Sequence, residues 1–597
     1  MHLALVALGY VVTAWTGLTA PQFPAHDNAL YQLPTFLYYA NALADGFGLP
    51  RWYPLVGGTP VIVSSPSLFP FLPHKWVGYA LFALTDASPL RVYQLGLLSG
   101  VLLVLAGVWH LVRELTGSRE AATVAAFAVG ASGAGATVWH QEQLLATITW
   151  YPWIALCAAK AARDARWLPL AAALFGITLG THYPTIHLLT ATAAVACVAA
   201  LHRRAFVAWL RAVPRAVWMG AAAAFALGAA HLGWIFVHRG EFGSPVRQLT
   251  GSLGARTLAE YLAINTQQAS SAPVAYLRGL LSMRYSGTDD EVVYFASPVA
   301  LLLAAAGALR GRRTGVLLAT LAAFSAWLST GIYGGAAQAL FTLRFPSVAY
   351  FRQWYHFAGP AMLWLGCLVG AGFAAATARL RARSHVLVAA MVVCALLVHL
   401  GRENFVGYAS VEPTMRFPTN LRFPPATLET ALRPEAPTPW IGLFRPGGLI
   451  AYASSVRASS LCTTESRLRA AVLPAGSVRG APETLSLDAC RAWMAGATML
   501  PMEAMRVTPA GLVIEADLPP GDLLVPFDSR LGFTATLDGR AVPVGSAGEG
   551  AFSRVNVPGG RHRLAWTVGT VPHFVTLPLQ ALAAALGVFV LRRRRAA

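Results

Sequence analysis

The sequence predicts a polytopic α-helical membrane protein with a small β-rich extracytoplasmic domain before the last helix. Composition and the distribution of apolar residues carry this prediction. Of the 597 residues, 56% are hydrophobic and only 12% are charged, whereas a soluble domain carries about a quarter charged residues. The apolar residues lie in long uncharged runs, which excludes both a single soluble globule and a disordered chain.

About twelve apolar runs are long enough, or nearly long enough, to cross a bilayer as helices. The first lacks a basic leader and a clean cleavage site, so we expect a retained helix rather than a removed signal peptide. The runs cover residues 3–20, 91–112, 120–138, 144–162, 166–181, 184–202, 214–236, 295–310, 314–331, 356–378, 385–401 and 574–591.

Basic residues are concentrated in alternate turns between these runs. Because cytoplasmic loops of membrane proteins carry an excess of arginine and lysine, the pattern places both termini in the cytoplasm. The net charge of +19 is then mostly a topology signal and requires no nucleic-acid partner. We expect a multi-pass protein of the bacterial inner (cytoplasmic) membrane.

The predicted transmembrane domain covers residues 1–401 and carries outer loops at 21–75 and 237–294. An extracytoplasmic β-rich domain follows at 402–573, and 574–597 form the final transmembrane helix with a basic cytoplasmic tail. No internal repeat of the kind found in inverted-repeat transporters is evident.

Strand signals end the outer domain. Asp538-Gly539 separates two alternating runs and predicts a β-hairpin. Two further runs flank Pro558-Gly559-Gly560 and predict a second hairpin. Cys462 and Cys490 are the only cysteines of this polar domain, and they could form a disulfide in a periplasm. The expected strands cover residues 511–517, 533–537, 540–544, 552–557 and 562–568.

Acidic residues of the transmembrane domain all fall in predicted turns or loops. Intramembrane carboxylates commonly mark proton or ion pathways, so this distribution weakens a proton-coupled carrier and moves acid/base chemistry to the outer surface. Asp27, just beyond the first helix, could act as a general base or hold a metal. Alternatively, it caps a short interfacial helix.

Other polar groups collect on the same predicted face. His26, Asp27, His140, Glu142 and His182 could supply a divalent-metal site or an acid/base cluster if their loops converge. No tight ligand spacing is present, so metal dependence stays open. Histidine and aromatic residues also occur in interfacial belts, which is the alternative interpretation.

Several motifs, in their order along the chain, resemble the YfhO-like branch of the GT-C membrane glycosyltransferases. The outer acid is followed by Gln32 and by Pro50-Arg51-Trp52. Gly180-Thr-His182-Tyr183-Pro184 is similar to the Gly-His-Pro turn of that branch, and Leu343-Arg344-Phe-Pro346 to its Phe-Arg-Xaa-Pro segment. The strands around Asp538-Gly539 resemble its C-terminal β-module.

The resemblance implies a GT-C-type glycosyltransferase with a polyprenyl-phosphate sugar donor and a cell-envelope glycan or lipid acceptor. Transfer needs a base for the acceptor hydroxyl and positive charge for the departing phosphate. Asp27 is the expected base, and a single-step displacement would invert the anomeric centre. Arg344 is the first candidate for the phosphate, followed by Arg51, Lys75 and Arg352. The substrate-binding candidates are His26, Gln32, Trp52, His140, Glu142, His182 and Tyr183.

Two other functions remain open from the sequence. One is a lipid or polysaccharide transporter or flippase, which the missing intramembrane acids and repeats disfavour. The other is a non-catalytic scaffold for cell-envelope assembly, with the β-module as its contact surface. Catalysis by Asp27 would distinguish the glycosyltransferase from the non-catalytic scaffold.

Overall fold

The structure is a computed structural model of the chain. It describes residues 2–19, 32–44, 72–139, 142–181, 184–201, 209, 211–237, 273–281, 295–331, 354–402, 471–473, 498–500, 504–508, 511–525, 533–547, 552–568 and 572–592. The described α-helices are α1 (His2–Thr13), α2 (Trp15–Thr19), α3 (Leu33–Ala44), α4 (Pro73–Leu84), α5 (Pro89–Thr116), α6 (Arg119–Gly130), α7 (Gly133–Thr137), α8 (Glu142–Ile148), α9 (Tyr151–Ala161), α10 (Leu168–Leu179), α11 (Pro184–Leu201), α12 (Arg215–Gly228), α13 (Ala230–Val237), α14 (Pro273–Leu281), α15 (Pro298–Arg310), α16 (Arg312–Ser329), α17 (Ala358–Thr377), α18 (Ala382–Arg402) and α19 (Pro572–Arg592).

The chain is mostly helical, and helices occupy every apolar run that the sequence marks. In the part that the structure describes, three helices are long and apolar enough to cross a membrane: Pro89–Thr116, Glu142–Ala161 and Ala358–Thr377. Other runs are divided by local breaks. For example, α6 ends at Gly130, and Ser132 caps the next helix, since its Oγ accepts from the Ala134 N–H at 3.2 Å. The prediction of about twelve spans therefore stays a prediction.

The helical core forms around α17, whose residues are mostly buried between α6, α15 and α16. A polar contact also fixes the first helix in this core. Trp139 Nε1 donates to the Tyr10 hydroxyl at 3.1 Å, and that hydroxyl donates to the Gly135 carbonyl at 3.0 Å. These bonds satisfy polar groups that burial would otherwise leave without partners.

Helix α3 lies within the segment 21–75 that the sequence predicts as a first outer loop. Helix α4 begins at the end of that segment and continues beyond it. Proline in the first turn of α4 explains where that helix begins, because proline lacks the N–H that a first turn leaves unused. The two helices pack through Phe36 and Tyr79, whose stacked rings lie 5.2 Å apart. The predicted loop thus contains α3 and the first turn of α4, and both helices contact α5.

Ten short strands follow, arranged as two five-stranded sheets within the described residues. One sheet has the order β2-β1-β5-β9-β8, and the other β3-β4-β10-β6-β7. The strands are β1 (Ala471–Leu473), β2 (Thr498–Met499), β3 (Met505–Thr508), β4 (Gly511–Leu518), β5 (Gly521–Val525), β6 (Phe533–Leu537), β7 (Arg540–Val542), β8 (Gly545–Ala547), β9 (Phe552–Val557) and β10 (Gly560–Val568).

Alternation along the strands explains the burial in this module. On β10, Leu564 and Trp566 are buried and face Ile514 and Leu512 of β4 across the antiparallel register. The other sheet buries Leu523, Val525, Val555 and Val557 in the same hydrophobic cluster. Residues two apart on a strand share one face, so each sheet contributes one apolar face to the core.

The first predicted hairpin is confirmed. Strands β6 and β7 pair in antiparallel register on either side of Asp538-Gly539. Asp538 has φ 51° and Gly539 has φ 81°, the positive values that a tight two-residue hairpin turn requires at both positions. Gly539 adopts this conformation without steric cost.

The second predicted hairpin is wrong. Strands β9 and β10 exist, but they belong to different sheets, and β9 pairs with β5 whereas β10 pairs with β4. The pairs Gly521–Val557 and Gly560–Leu518 show that two paired strands pass together from one sheet to the other. Gly560, with φ 119°, and the facing Pro519-Pro520 permit this bend.

A surface ion pair joins the β6–β7 turn to β10. Asp538 Oδ1 accepts from the Arg563 N–H at 2.9 Å, and Oδ2 lies 2.7 Å from His562 Nδ1. The Arg563 N–H, followed by the His562 side chain, lowers the pKa of Asp538 below its ordinary value of 3.8. The Asp538 carboxylate in turn raises the pKa of His562 above 6.5.

The pair should stabilise the module in a defined pH window. The raised pKa of His562 gives a contribution that is complete below pH 6.5 and lost as pH rises through the folded-state pKa. The lowered pKa of Asp538 gives a contribution that is present above pH 3.8 and lost as pH falls through its folded-state pKa. We expect Asp538→Asn to reduce protection of β10 amides most between these pH values, measured by hydrogen exchange corrected for intrinsic rates.

Glu515→Gln is the matched control. Glu515 Oε1, on β4, lies 3.1 Å from Arg563 Nε on the same strand β10, and this pair involves no histidine. Its effect should not change across the titration of His562. An Asp538→Asn effect that is equally large above and below that titration would contradict the prediction.

Candidate functional site

Three of the sequence-predicted site residues lie in the described part of the chain, and the structure brings all three together. Gln32 precedes α3, Lys75 lies in the first turn of α4, and Glu142 begins α8. The remaining predicted residues lie outside the described residues: Asp27, Arg344, Arg51, Arg352, His26, Trp52, His140, His182, Tyr183, Cys462 and Cys490.

Glu142 is the centre of this cluster. Its side chain is 1% exposed, and Oε1 lies 2.5 Å from His74 Nε2 and 3.2 Å from Lys75 Nζ. The Tyr93 hydroxyl donates to Oε2. A buried carboxylate needs partners of this kind, because removing it from water is costly unless it is paired and hydrogen-bonded.

Lys75 connects the carboxylate to the start of α3. Its side chain is 1% exposed, and Nζ donates to Gln32 Oε1 at 2.8 Å. Lysine in the first turn of a helix opposes the helix dipole, so α4 alone does not favour a charge there. Glu142, in contrast, is an acid at the first residue of α8, where the positive end of the helix dipole stabilises its negative charge.

Glycines on α5 allow the other helices to approach closely enough for these contacts. A Cβ at Gly96 would lie 3.0 Å from the His74 carbonyl oxygen, and one at Gly100 would lie 2.9 Å from His74 Cβ. The Gly96-x-x-x-Gly100 spacing places both on one face of α5, as in close helix pairs of membrane proteins. The spacing therefore fixes where His74 and its neighbour Lys75 lie.

Aromatic rings border the cluster. Phe36 stacks on Tyr79, and its ring centroid lies 5.3 Å from that of Tyr93. All three residues are buried. Rings of this size keep water from the ion pair, which strengthens its electrostatic attraction and raises the cost of losing either partner.

The arrangement has the chemistry of an anion site and a proton path. Lys75 supplies a positive charge that can hold an oxyanion, and His74 with Tyr93 can pass protons to or from Glu142. The cation beside Glu142 is Lys75 itself, which would repel a divalent metal. Among the described residues, no group of three or more His, Cys, Asp and Glu side chains could hold a metal.

His74 and Tyr93 were missed by sequence reasoning. His74 directly precedes one of only two lysines in the chain, and Tyr93 lies three residues before Gly96. Arg91 was also missed: it donates to the carbonyl of Thr19 at 2.7 Å and to Gln94 Oε1 at 2.9 Å. It thereby holds the C-terminal end of α2 against α5.

A second buried polar group lies next to another predicted motif. His187 is fully buried, with Nδ1 2.8 Å from the Tyr151 hydroxyl and Nε2 2.9 Å from Thr181 Oγ1. Thr181 and His187 flank the predicted His182-Tyr183 motif in the sequence. These two bonds join α11, through His187, to Thr181 and to Tyr151 of α9.

The sequence predicts that the acids of the transmembrane domain lie in turns or loops, and Glu142 is one of these acids. Glu142 is the first residue of the candidate span Glu142–Ala161, and it is buried rather than exposed in a turn. Pro152 explains the interruption within this span, because a proline near the start of α9 breaks the helical bonding between α8 and α9. The acid thus lies at the end of the span.

Coupling between Lys75 and Glu142 can be measured as stability. Removing one partner of a buried ion pair costs about 3–5 kcal/mol, because the other charge is left uncompensated. We expect Lys75→Met and Glu142→Gln each to lower the free energy of unfolding in a denaturant titration in detergent micelles. The double variant should lose about 0.5–3 kcal/mol less than the sum of the single losses.

Lys160→Met is the matched control, since Lys160 is the other lysine of the chain and its Nζ lies 4.4 Å from the Trp167 ring. A cation–π contact of this kind contributes about 0.5–1 kcal/mol, so its loss should be small and additive with Glu142→Gln. Strict additivity of Lys75→Met and Glu142→Gln would show that the two side chains do not interact.

Comparisons with known proteins leave this site to be interpreted from its own chemistry. No family model matches the chain, and no curated protein matches it. The resemblance to GT-C glycosyltransferases therefore rests on the sequence motifs alone.

Proposed function

We propose that the chain is a membrane glycosyltransferase of the GT-C type that moves a sugar from a polyprenyl-phosphate donor to a cell-envelope acceptor. The acceptor hydroxyl oxygen attacks the anomeric carbon and forms the new glycosidic bond. The bond from that carbon to the phosphate oxygen breaks, and its electron pair leaves with the phosphate. Asp27 takes the proton of the hydroxyl, and one displacement inverts the anomeric centre.

The observation that carries the proposal is the buried Lys75–Glu142 cluster. It combines an ammonium group with proton-transferring side chains inside an apolar helical body. A phosphate leaving group needs a fixed positive charge, and such a charge acts most strongly where water is excluded. Gln32, which binds Lys75, follows Asp27 by five positions in the sequence.

Roles within the proposed site follow from the charges of the side chains. Lys75 stabilises the donor phosphate, with Arg344, Arg51 and Arg352 as further cations of the same site. Glu142 holds Lys75 and His74 in position and would be the alternative base. Because arginine binds oxyanions through two parallel N–H groups, Arg344 is suited to the terminal phosphate oxygens.

The proposal includes the location and topology of the protein. The long apolar helices support a membrane location. We place the chain in the bacterial inner membrane, with about twelve spans, both termini in the cytoplasm and the β-module outside. The acceptor is then a glycan or lipid of the cell envelope, and Cys462 and Cys490 would form a disulfide in the β-module.

A proton-coupled carrier of lipid or polysaccharide is the second candidate. The burial of Glu142 at the start of a candidate span favours it, since buried acids paired with lysine and histidine occur in proton relays. The two functions differ in product. A transferase makes a new glycosidic bond whether or not the membrane vesicles are sealed. A carrier forms no such bond, and its transport can be measured only across a sealed membrane.

Substitution of Asp27 tests the catalytic part of the proposal. Asp27→Asn keeps the shape and the hydrogen-bonding capacity of the side chain but removes the base. We expect sugar transfer from a polyprenyl-phosphate donor by the purified, monodisperse protein to fall by about 10²–10⁴-fold. Asparagine is a good helix cap, so a capping role predicts near-normal transfer.

Asp45→Asn is a suitable control, as it neutralises another acid of the same predicted loop. Its transfer rate should stay close to that of the unsubstituted protein. If Asp27→Asn transfers sugar within a few-fold of that rate, Asp27 is not the base, and Glu142→Gln and His182→Ala become the next variants.

A further inference from the structure

An apolar groove lies in the helical part of the chain, and its lining shares no residue with the Lys75–Glu142 cluster. Helices α9, α10, α11 and α12 enclose it together with Trp209, and its volume is about 420 Å³. Volumes of a few hundred Å³ are typical of ligand pockets in proteins. Val195, Trp218 and Phe225 line the groove and remain partly exposed, so it opens to the outside of the helical body.

Small residues at helical spacing create the groove. On α10 the lining positions are Leu168, Ala171, Ala172 and Phe175, and on α12 they are Trp218, Ala221, Ala222 and Phe225. Each set follows the i, i+3, i+4, i+7 pattern of one helix face. Alanines in the middle of both faces leave a gap between the helices. The ring centroids of Phe175 and Phe225 lie 5.9 Å apart.

Tryptophans line one end of the groove. The rings of Trp209 and Trp218 pack edge to face with centroids 5.9 Å apart, and Trp209 Nε1 donates to the Ala161 carbonyl at 2.8 Å. Tryptophan is enriched at the depth of lipid headgroups, where its ring is apolar and its N–H is polar. This end of the groove therefore has the character of a membrane interface.

Cations border the same end. Lys160 lies on α9 beside the lining residue Ala161, Arg211 follows Trp209 by two residues, and Arg215 precedes Trp218 by one helical turn. These three cations form no ion pair within the described residues. Neighbouring arginines differ in this respect, because Arg163 pairs with Glu114 and Arg166 with Asp164, each at 2.6 Å.

We propose that this groove binds one acyl chain of an anionic phospholipid, whose phosphate is held by Lys160, Arg211 and Arg215. The alanine-lined walls accept the chain, and the cations, which form no ion pair within the described residues, complement the headgroup. A neutral ligand would bring no charge opposite to theirs. The inference is independent of the proposed sugar transfer, since none of these residues belongs to the Lys75–Glu142 cluster.

Quenching of tryptophan fluorescence by brominated lipid tests the proposal. The purified full-length chain is placed in phosphatidylcholine vesicles that contain increasing small fractions of phosphatidylglycerol brominated on one acyl chain. We expect a saturable quenching component at low phosphatidylglycerol fractions. Brominated phosphatidylcholine at the same fractions should not give this component.

Substitutions locate the quenching within the groove. Ala222→Leu fills the groove and should remove the saturable component, whereas Ala226→Leu, at an exposed position of α12 outside the lining, should retain it. Arg211→Gln and Arg215→Gln should each weaken apparent affinity by about fivefold. Arg310→Gln, at an exposed helix end elsewhere, should leave affinity unchanged.

Contrary results are equally specific. Identical curves for the two brominated lipids, or an unchanged component in a monodisperse Ala222→Leu protein, would overturn the proposal. Displacement of the component by polyprenyl phosphate in preference to phosphatidylglycerol would assign the groove to a different lipid. If Ala222→Leu is not monodisperse, Ala222→Val serves as the smaller filling variant, and native mass spectrometry of the unsubstituted protein must show one retained phosphatidylglycerol.

Discussion

The ion pair between Lys75 and Glu142 is the contact on which the account of the site depends. It joins two helices at their first turns, reaches a third through Gln32, and is closed by His74 and Tyr93. Such a pair is an expensive way to stabilise a fold, because the desolvation of both charges offsets much of their attraction. A well-packed apolar pair would serve stability equally well, so its presence is better explained by chemistry than by folding.

Packing around the pair shows how an apolar chain accommodates it. Gly96 and Gly100 let α4 and α8 approach α5, and aromatic rings exclude water from the charges. The same use of small residues recurs in the alanine-lined groove between α9, α10 and α12. There, however, the gap is left open, and the cations at its end are unpaired within the described residues. One principle of packing thus gives a polar cluster in one place and an apolar groove in another.

Sequence patterns predicted the helical character, the apolar runs and the Asp538-Gly539 hairpin, because each depends on local periodicity or turn chemistry. They wrongly predicted a hairpin at Pro558-Gly559-Gly560. There, both chain segments bend together with Pro519-Pro520, so β9 pairs with β5 and β10 pairs with β4. Local rules cannot foresee which sheet a strand joins after such a bend. They also missed α3, within the first predicted outer loop, and α4, which begins at the end of that loop, since these helices are stabilised by contacts with each other and with α5.

Within the candidate site, chemistry was easier to predict than geometry. The residue types of Lys75 and Glu142 made them candidates, and Gln32 became one through the family resemblance. Their convergence depends on contacts between helices that are far apart in the sequence. His74 and Tyr93 carry no distinctive signal in the sequence, because histidine and tyrosine near apolar runs are common at membrane interfaces. The Gly96-x-x-x-Gly100 spacing was a usable signal, as it marks a face of α5 against which other helices pack closely.

The central claim is that Lys75 contacts the phosphate of the sugar donor, and a phosphorus–nitrogen distance tests it directly. Since the chain has only two lysines, ¹⁵Nζ-lysine labelling combined with Lys160→Arg leaves Lys75 as the one labelled ammonium. Solid-state NMR dipolar recoupling between that nitrogen and ³¹P of bound polyprenyl-phosphate sugar should give a separation of about 4 Å. Full donor occupancy with no measurable ³¹P–¹⁵N coupling would contradict the account.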